Sequence, residues 1–329
     1  MIVHRVTIQI VTFNSRRFYP RLKVALEAQS VPFDLVVVDN GSRPAERPTA
    51  VDFPTGVRIF QQEENLGFAE GNNVAARAAQ TDFLALLNPD AFPEADWLLQ
   101  LLAAADRYPP DTLIGSTQLW DLDPTRLDGL GDVMHASGLA YRSAHRRPLR
   151  QANLREGEVF SACAAAMLIR RDVYLSLGGF ERGYFCYMED VDFGFRLRLA
   201  GARAVQAPMA RVSHVSGGAS SGRSGFADYH GARNRLWTFV RCMPDPLFWP
   251  LLPLHCVATI AVLLVHAAQR RWASWRGAAA ALKGLRRAWA ERRMIQGQRR
   301  ASALAIARAL AWSPLVFFGR QPVIWRTRI

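Results

Sequence analysis

Apolar and polar positions alternate in short blocks through the first third of the chain. Apolar runs rich in β-branched residues predict strands at 6–11, 35–38, 57–60 and 83–87. Apolar residues at helical spacing predict helices at 19–29, 69–80 and 94–107. This order is typical of an α/β domain in which helices flank a mostly parallel sheet.

The fourth predicted strand leads into a polar loop. Phe83–Leu87 is an unbroken apolar run that suits a strand buried on both faces. Pro89 cannot donate to a neighbouring strand, so the strand ends there and leaves Asn88 and Asp90 in the loop. Open α/β sheets bind ligands at this edge, and an amide oxygen beside a carboxylate suits a hard divalent cation. A turn that only ends the strand is the alternative.

Polar residues follow the other predicted strands as well. Thr12 and Asn14 come after the first strand, and Asp39, Asn40 and Gly41 come after the second. Because the carboxyl ends of parallel strands lie along one edge, we expect these residues to share a crevice that fits a nucleotide. The Asp39 carboxylate is suited to accept a hydrogen bond from the N3–H of a pyrimidine base.

A third polar cluster, residues 65–73, precedes and opens the Ala-rich helix. It includes Gly67 and Asn72. Because glycine has no side chain, we expect Gly67 to let the backbone approach a bound ligand closely. The cluster therefore extends the predicted crevice.

Residues 111–240 have a less regular pattern. Strands are predicted at 112–120 and 204–212, an apolar segment at 159–169 and helices at 172–177 and 190–199. Residues 121–155 are rich in Asp, Gly, Arg and Pro, which predicts long loops or a hairpin.

The net charge of +13 is concentrated towards the end of the chain. Residues 211–329 hold 19 Lys and Arg against 3 Asp and Glu, whereas residues 1–210 hold 22 against 25. Such a basic region is typical of a surface that meets nucleic acid or the anionic leaflet of a membrane.

Two features of this basic region favour a membrane. Residues 247–268 contain no charged side chain and reach the length of a membrane span, although two prolines also allow an interfacial or re-entrant helix pair. Trp272, Trp275 and Trp289 fall on the apolar side of one predicted basic amphipathic helix, followed by a further apolar segment at 303–318. Ordinary internal packing is the alternative for each helix.

The four cysteines show no C-x-x-C spacing, so we expect neither a zinc site nor a disulfide framework. We therefore expect the protein to work in a reducing compartment. The first residues enter a strand pattern directly, so we expect no signal peptide.

The motifs and their order resemble those of glycosyltransferase family 2, with its GT-A fold, and in particular its rhamnosyltransferases and galactofuranosyltransferases. The resemblance spans residues 6–240. It rests on Val11-Thr12-Phe13-Asn14-Ser15, Val38-Asp39-Asn40-Gly41-Ser42, the 65–73 cluster, Asn88-Pro89-Asp90, Gly178-Gly179-Phe180, Glu189-Asp190-Val191-Asp192 and His214.

The resemblance implies roles for individual residues. The family's metal-binding Asp-x-Asp corresponds to Asn88-Pro89-Asp90, where Asn replaces the first Asp and leaves Asp90 as the firm ligand. His214 matches a second metal ligand, and Asp190, paired with Glu189, matches the catalytic base. Adjacent carboxylates raise each other's pKa, which suits a base, although a helix N-terminus is the alternative for the pair.

The resemblance also implies contacts to the acceptor or the diphosphate, at Asp192, His230, Arg233 and Asn234. A solvated basic helix face is the alternative for the last three. The remaining implied donor-site residues are Thr12, Asn14, Asp39, Asn40, Gly41, Gly67, Asn72 and Asn88.

The function implied is an inverting transfer that depends on Mg²⁺ or Mn²⁺, from a nucleotide sugar to a lipid-linked or polysaccharide acceptor in cell-surface glycan synthesis. dTDP-rhamnose is the first donor expected and a UDP-sugar such as UDP-galactofuranose the second. We expect a catalytic domain at 1–240, with a nucleotide-binding half at 1–110, and a membrane-associating helical region at 241–329. That arrangement places the protein at the cytoplasmic face of a bacterial inner membrane.

Two other functions compete with this one. A sugar-1-phosphate nucleotidyltransferase is also doubly wound, but it usually carries a glycine-rich loop after the first strand, and residues 11–17 contain no glycine. The second competing function is a non-catalytic one, in which a basic protein binds nucleic acid or a membrane surface. Since the arginines and tryptophans of the basic region follow helical spacing and form no RNA-binding motif, we expect no nucleic-acid partner.

Overall fold

A ten-stranded mixed sheet forms the centre of the computed structural model, which describes residues 4–152, 154–216 and 225–325. The first five strands are β1 (Val6–Thr12), β2 (Asp34–Asp39), β3 (Arg58–Gln61), β4 (Phe83–Leu87) and β5 (Ala91–Pro93). The others are β6 (Leu113–Trp120), β7 (Asp123–Gly129), β8 (Asp132–Met134), β9 (Ala140–Arg142), β10 (Gly157–Val159), β11 (Ala166–Arg170) and β12 (Ala204–His214). β8 and β9 form a separate two-stranded ribbon.

The order of strands is β10-β12-β6-β11-β4-β1-β2-β3, with β5 against β12 and β7 against β6. The four strands at the β3 end are parallel, and Thr12 pairs with Asp39 at the carboxyl ends of β1 and β2. β11 lies antiparallel between β4 and β6, and β12 returns parallel to β6. This register brings the ends of β1, β2, β4 and β12 to the same region of the sheet.

Helices cover both faces of the sheet and form the C-terminal part of the molecule. Those that flank the sheet are α1 (Tyr19–Glu27), α2 (Gly67–Ala78), α3 (Trp97–Ala105), α4 (Arg171–Ser176) and α5 (Glu189–Leu199). The others are α6 (Phe226–Cys242), α7 (Asp245–Ala268), α8 (Ala273–Lys283), α9 (Leu285–Gly297) and α10 (Ala303–Ala309).

The strands are apolar because the sheet is buried on both sides. All seven residues of β1 and all five of β4 are buried. One hydrophobic cluster packs α1 and α3 against the sheet, and a second packs α2, α4 and α5 against its other face. The predicted strands and helices of the first third are confirmed to within a few residues.

The C-terminal helices share a third hydrophobic cluster with α5, which includes Val191 and Phe195 of α5, Phe239 of α6, and Phe248 and Leu251 of α7. They therefore pack against the helix that begins with Glu189 and Asp190. The domain boundary predicted at residue 240 stays a prediction. Residues 326–329 of the predicted membrane region lie outside the described residues.

The single amphipathic helix predicted around the tryptophans is in fact two helices. α8 and α9 meet at Gly284, where an added Cβ would lie 2.5 Å from the Trp237 ring. Trp272 and Trp275 are exposed, whereas Trp289 packs partly into the third cluster. Helical spacing reveals neither the break at Gly284 nor the partial burial of Trp289.

Candidate active site

A cavity of about 390 Å³ opens where the ends of β1, β4 and β12 meet the loop before α5. Of the predicted site residues, it is lined by Thr12, Asn40, Asn88, Asp90, Glu189, Asp190 and His214. The sheet register explains this convergence, because β5 places Ala91 opposite His214 on β12. The residues that the resemblance implies for donor, metal and base thus share one cavity.

Asp90 and His214 face each other at one end of the cavity. His214 Nε2 lies 3.4 Å from Asp90 Oδ1, and both side chains are buried. On its other side, His214 Nδ1 donates to Asp128 Oδ2 at 2.8 Å. A histidine whose second nitrogen donates to a carboxylate is the arrangement usual for a metal ligand, because the carboxylate fixes the tautomer and orients the ring.

Asp128 is fully buried and ionised. Burial opposes the charge, but His145, His214 and Arg142 outweigh it and hold the pKa of this carboxyl well below its usual range. For His214, burial lowers the pKa, but Asp128 and Asp90 outweigh burial and raise it. Asp128 therefore accepts the hydrogen bond and His214 Nδ1 carries the hydrogen.

The donor set fits a divalent cation whose remaining ligands come from substrate. The Asn88 side-chain oxygen is buried and accepts no hydrogen bond from the described residues. With Asp90 and His214 it offers two oxygens and one nitrogen to one end of the cavity. Within residues 4–152, 154–216 and 225–325, no group of three His, Cys, Asp or Glu side chains could hold a metal alone. A protein with few ligands suits Mg²⁺ or Mn²⁺ that is also bound by phosphate oxygens.

Three further carboxyl groups line the same cavity, on Asp132, Glu189 and Asp190. Burial and the neighbouring Asp190 raise the pKa of Glu189 well above its ordinary value, and the same two causes raise the pKa of Asp132. Asp190 is half-buried and accepts hydrogen bonds from the backbone N–H groups of Ala164 at 3.2 Å and Val191 at 2.8 Å. The raised pKa values favour the protonated forms of Glu189 and Asp132, and among the described residues neither carboxyl receives the two backbone hydrogen bonds that Asp190 accepts.

The loop that precedes Glu189 has an unusual backbone. Phe185, Tyr187 and Met188 have φ angles of 64°, 69° and 71°, a region that favours glycine. Asn234 on α6 is fully buried and its Nδ2 lies within 3.0 Å of the carbonyl oxygens of Tyr184, Cys186 and Tyr187. Strained backbone of this kind persists where the surroundings hold it, as Asn234 does here.

Arg233 also holds the loop that precedes Glu189. Its guanidinium donates to the carbonyl oxygens of Gly183 and Tyr184 at 2.9 and 2.8 Å and to the Asn234 side-chain oxygen at 2.8 Å. His230 stacks on Phe185 with ring centroids 5.4 Å apart. Burial and Arg233 lower the pKa of His230 to about 4, so its ring is neutral at physiological pH.

The family model described as glycosyl transferase family 2 matches residues 7–178, which is more than half of the chain. The chain belongs to glycosyl transferase family 2. The glycosyltransferase is 30% identical over 220 residues to the N-acetylglucosaminyl-diphospho-decaprenol L-rhamnosyltransferase of Mycobacterium tuberculosis, covering 60% of this chain and 70% of that protein. It is 29% identical over 164 residues to rhamnosyltransferase WbbL of Escherichia coli, covering 46% of this chain and 61% of that protein.

The fold of the glycosyltransferase matches solved GT-A structures, as the motifs predicted. The mannosyltransferase PcManGT from Pyrobaculum calidifontis, in complex with GDP-Man and Mn²⁺, superposes with a TM-score of 0.54 at 18% identity, covering 94% of this chain and 87% of that one. GalNAc-T7 with UDP, GalNAc and Mn²⁺ also gives 0.54, at 16% identity, covering 64% of this chain but only 43% of that one. Identities this low show the fold alone.

Several residues predicted for the donor site of the glycosyltransferase also make contacts within its fold. Asp39 is fully buried and accepts from Thr12 Oγ1 at 3.4 Å, and Asn72 joins Gln9 to the carbonyl of Phe68. Asn14, Gly41, Gly67 and these two do not line the cavity that the described residues form.

Two of these residues are glycines whose backbones pack closely against other segments. Gly41 has φ +74°, and a Cβ there would lie 2.6 Å from the Glu64 carbonyl carbon. Gly67 has φ +85°, and a Cβ there would lie 2.6 Å from the backbone oxygen of Phe185. Position 67 thus needs a glycine because the loop before α5 packs against it, and the predicted ligand contact of Gly67 stays a prediction.

Asp192 also serves the fold. Its carboxylate is fully buried and accepts from Tyr184, Arg196 and Arg241 at 3.0, 2.7 and 2.7 Å. The prediction that Asp192 contacts the acceptor is therefore corrected, because no face of this carboxylate reaches the cavity of the described residues. Arg233 and Asn234 likewise hold the loop before α5, and His230 lies behind Phe185.

Sequence analysis missed Asp128, Asp132 and Arg142, which all belong to the 121–155 segment read as loops or a hairpin. Asp128 lies on β7, and Asp132 pairs with Arg142 in the β8–β9 ribbon. Their segment has no apolar periodicity, so only the Asp-rich composition could have drawn attention to it. The tertiary structure places Asp128 against His214 and brings Asp132 and Arg142 to the cavity.

Proposed function

We propose that the protein is an inverting, divalent-metal-dependent glycosyltransferase that moves L-rhamnose from dTDP-rhamnose to a lipid-linked acceptor in cell-surface glycan synthesis. The observation that supports this most is the single cavity lined both by Asp90 and His214 and by Glu189 and Asp190. An inverting transfer needs a site for the leaving diphosphate and a base for the acceptor, placed apart in one pocket.

The proposed chemistry divides between these two groups of residues. Asp190 takes the proton from the acceptor hydroxyl while that oxygen forms a bond to the anomeric carbon, and the bond from this carbon to the diphosphate oxygen breaks. Asn88, Asp90 and His214 would hold Mg²⁺ or Mn²⁺. When bound, the cation stabilises the negative charge that the leaving diphosphate acquires. Burial and Asp190 raise the pKa of Glu189, which disfavours a second negative charge beside Asp190.

The relatives support the choice of donor and acceptor. The Mycobacterium tuberculosis protein is named for L-rhamnosyl transfer to N-acetylglucosaminyl-diphospho-decaprenol, and the Escherichia coli protein is named a rhamnosyltransferase. We therefore propose dTDP-rhamnose as donor, UDP-galactofuranose or another UDP-hexose as the alternative, and a sugar-diphospho-lipid as acceptor in preference to a free polysaccharide.

We also propose that the C-terminal region, from about residue 241, attaches the protein to the cytoplasmic face of the inner membrane. Of the described residues, one helix, α7, is long and apolar enough to cross a membrane by length and composition, and only 22% of its most apolar window is buried. Its buried positions form one stripe along the helix, at Phe248, Leu251, His255, Thr259 and Leu263.

The opposite face of α7 exposes Trp249, Val257, Ile260 and Leu264. His255 anchors the stripe, since its Nδ1 lies 2.8 Å from the Ser137 carbonyl oxygen. A helix held against the protein along its length suits an orientation in the plane of the membrane surface, with its apolar face in the lipid. We propose this orientation in place of a span.

A screen of nucleotide sugars tests the proposed donor and metal. dTDP-rhamnose, UDP-galactofuranose, UDP-glucose and GDP-mannose are each added with Mn²⁺ or with EDTA, and thermal stabilisation and donor hydrolysis are measured. We expect dTDP-rhamnose to stabilise the protein most, and only with Mn²⁺. Asp90→Ala should lose this stabilisation, whereas Asp82→Ala, at the opposite end of β4 and exposed, should retain it. Equal donor affinity of Asp90→Ala with Mn²⁺ contradicts the metal site.

A further inference from the structure

The cavity has an aromatic wall that its donor and metal ends do not use. Phe185 and Tyr187 from the loop before α5, and Phe226 from the first turn of α6, all line it. The Phe226 ring lies 6.1 Å from Phe185 and 6.0 Å from Tyr187, centroid to centroid, and 4.5 Å from His230. We call Phe185, Tyr187 and Phe226 the aromatic mouth.

The aromatic mouth lies next to the proposed base. Tyr187 is three residues before Asp190, and the same loop leads directly into α5. Aromatic faces pack against the C–H faces of sugar rings, and their flat apolar area leaves the sugar hydroxyls free to point at a base. The aromatic mouth is therefore suited to hold an acceptor sugar beside Asp190.

The first turn of α6 joins this mouth to the turn between α7 and α8. Asp228, two residues after Phe226, forms an ion pair with Arg271 of that turn. Gly225 packs so closely on α8 that an added Cβ would lie 2.7 Å from Ala273 Cβ. The cavity and the α7–α8 turn are thus separated by one helical turn, about 5 Å of helix.

The α7–α8 turn has the composition of a membrane interface. Trp272 is 59% exposed and Trp275 is 40% exposed. Arg270, Arg271 and Arg276 accompany them at the surface. Tryptophan prefers the level of the lipid head groups, and arginine binds anionic head groups and diphosphates. We call residues 270–276 the membrane elbow.

We infer that the aromatic mouth is the subsite for the acceptor sugar, and that this sugar enters from the membrane elbow while its diphosphate and lipid stay at the membrane surface. The inference rests on the proposed function and adds where the acceptor binds and from which side. The ion pair between Asp228 and Arg271 holds the aromatic mouth close to the membrane elbow. A lipid-carried sugar can then reach Asp190 without leaving the bilayer.

The test measures the acceptor KM with two forms of one acceptor. One is N-acetylglucosaminyl-diphospho-decaprenol in phosphatidylglycerol vesicles, and the other carries the same head group on a short water-soluble chain. Phe226→Ala should raise KM for both forms by about three- to tenfold, the usual effect of losing one aromatic contact. Phe226→Tyr keeps the ring and should restore KM.

Arg271→Gln separates entry from binding. It should raise KM about threefold for the vesicle acceptor only, because it breaks the ion pair with Asp228 and leaves the mouth intact. Arg5→Gln, which breaks a similarly exposed ion pair with Asp106 far from the cavity, is the matched control and should leave both KM values unchanged.

Three results would overturn the inference. Unchanged KM values in Phe226→Ala would remove the aromatic mouth from the acceptor site. Wild-type protein that uses the soluble form as efficiently as the vesicle form would refute entry from the membrane. Wild-type protein that binds dTDP-rhamnose but transfers to neither form would refute the lipid-linked class. Failure of every nucleotide sugar to bind is a separate result, which refutes the proposed function itself.

Discussion

His214 donates from Nδ1 to Oδ2 of Asp128 at 2.8 Å, although the two residues lie 86 positions apart in the chain. Asp128 has no access to the cavity, and Asp90 meets His214 from the other side. The contact fixes which histidine nitrogen faces Asp90. It makes Asp128 a positioning residue for the proposed metal end of the cavity.

Asp128→Asn should weaken Mn²⁺ binding, measured by electron paramagnetic resonance in the presence of nucleotide, by roughly 10- to 100-fold, the usual cost of losing such a partner. Asp123→Asn, on the same strand but at the surface, is the control. Unchanged Mn²⁺ affinity in a folded Asp128→Asn variant would show that His214 needs no such support or binds no metal.

Asp190→Asn should keep donor affinity and lose turnover by at least ~10²-fold, the contribution of a general base. Steady-state transfer assays and calorimetry with the donor measure the two quantities. Glu189→Gln should lose less turnover, because the raised pKa of Glu189 favours its protonated form, which cannot act as a base. If Asp190→Asn turns over at a near-normal rate, the base lies elsewhere and Glu189 is the next candidate.

Asn234→Ala should reduce both stability and turnover. The variant removes the Asn234 donor from the carbonyl groups of Tyr184, Cys186 and Tyr187, which costs about 1–3 kcal/mol of unfolding free energy. It also frees the strained loop before Asp190, so kcat should fall more than the donor affinity. Urea unfolding and steady-state kinetics measure the two effects.

Asn72→Ala is the matched control for that experiment. Asn72 is also buried and also bonds to backbone, but within α2 and to Gln9 of β1. It should lose comparable stability and retain kcat. Equal losses of kcat in the two variants would mean that Asn234 acts through general stability and not through the loop.

The raised pKa of Glu189 predicts how stability changes with pH. Burial and Asp190 raise it, so the folded protein keeps a proton that the unfolded chain releases above its ordinary pKa. The contribution of Glu189 to stability is therefore complete below that ordinary pKa and is lost as the pH rises through the higher folded value. Glu189→Gln removes this loss.

The melting temperature of Glu189→Gln relative to wild type should therefore increase between pH 5 and pH 8, by about 2 °C or more. Differential scanning calorimetry at the two pH values measures it. Glu94→Gln, at an exposed site on the other side of the sheet, should show no such trend. A difference that is constant with pH would contradict a raised pKa.

Membrane attachment should combine a salt-sensitive and an apolar part. Each Lys or Arg near an anionic surface contributes about 1 kcal/mol that salt screens, whereas buried tryptophan area does not respond to salt. Full-length protein should therefore float with phosphatidylglycerol vesicles. High salt should release it from the vesicles only in part, and detergent should release it completely.

The double variant Trp272→Ala with Trp275→Ala should be released from the vesicles by salt alone. The control is Leu122→Ala, which removes an exposed apolar side chain from the turn between β6 and β7 and should behave as wild type. Protein that stays entirely soluble with vesicles at physiological salt would refute membrane attachment. The exposed tryptophans would then need a protein partner.

The local pattern of the sequence determined the strands, the flanking helices and the edge of the sheet that carries the cavity. An apolar run such as Phe83–Leu87 records burial on both faces, and Pro89 marks where the strand stops. Parallel order then places Asp90 at that edge. Family-like motifs identified Asp90, Glu189, Asp190 and His214, and these do line one cavity.

Tertiary structure alone decided which residues of those motifs serve the fold. Gly67 and Asn234 carry family-like sequence, yet one makes room for Phe185 and the other holds the backbone next to it. It also decided that Asp128 and Asp132 join the site and that Gly284 splits the basic helix. Periodicity records only which face of a segment is buried. Contacts between segments far apart in the chain depend on how those faces pack, and no local pattern encodes them.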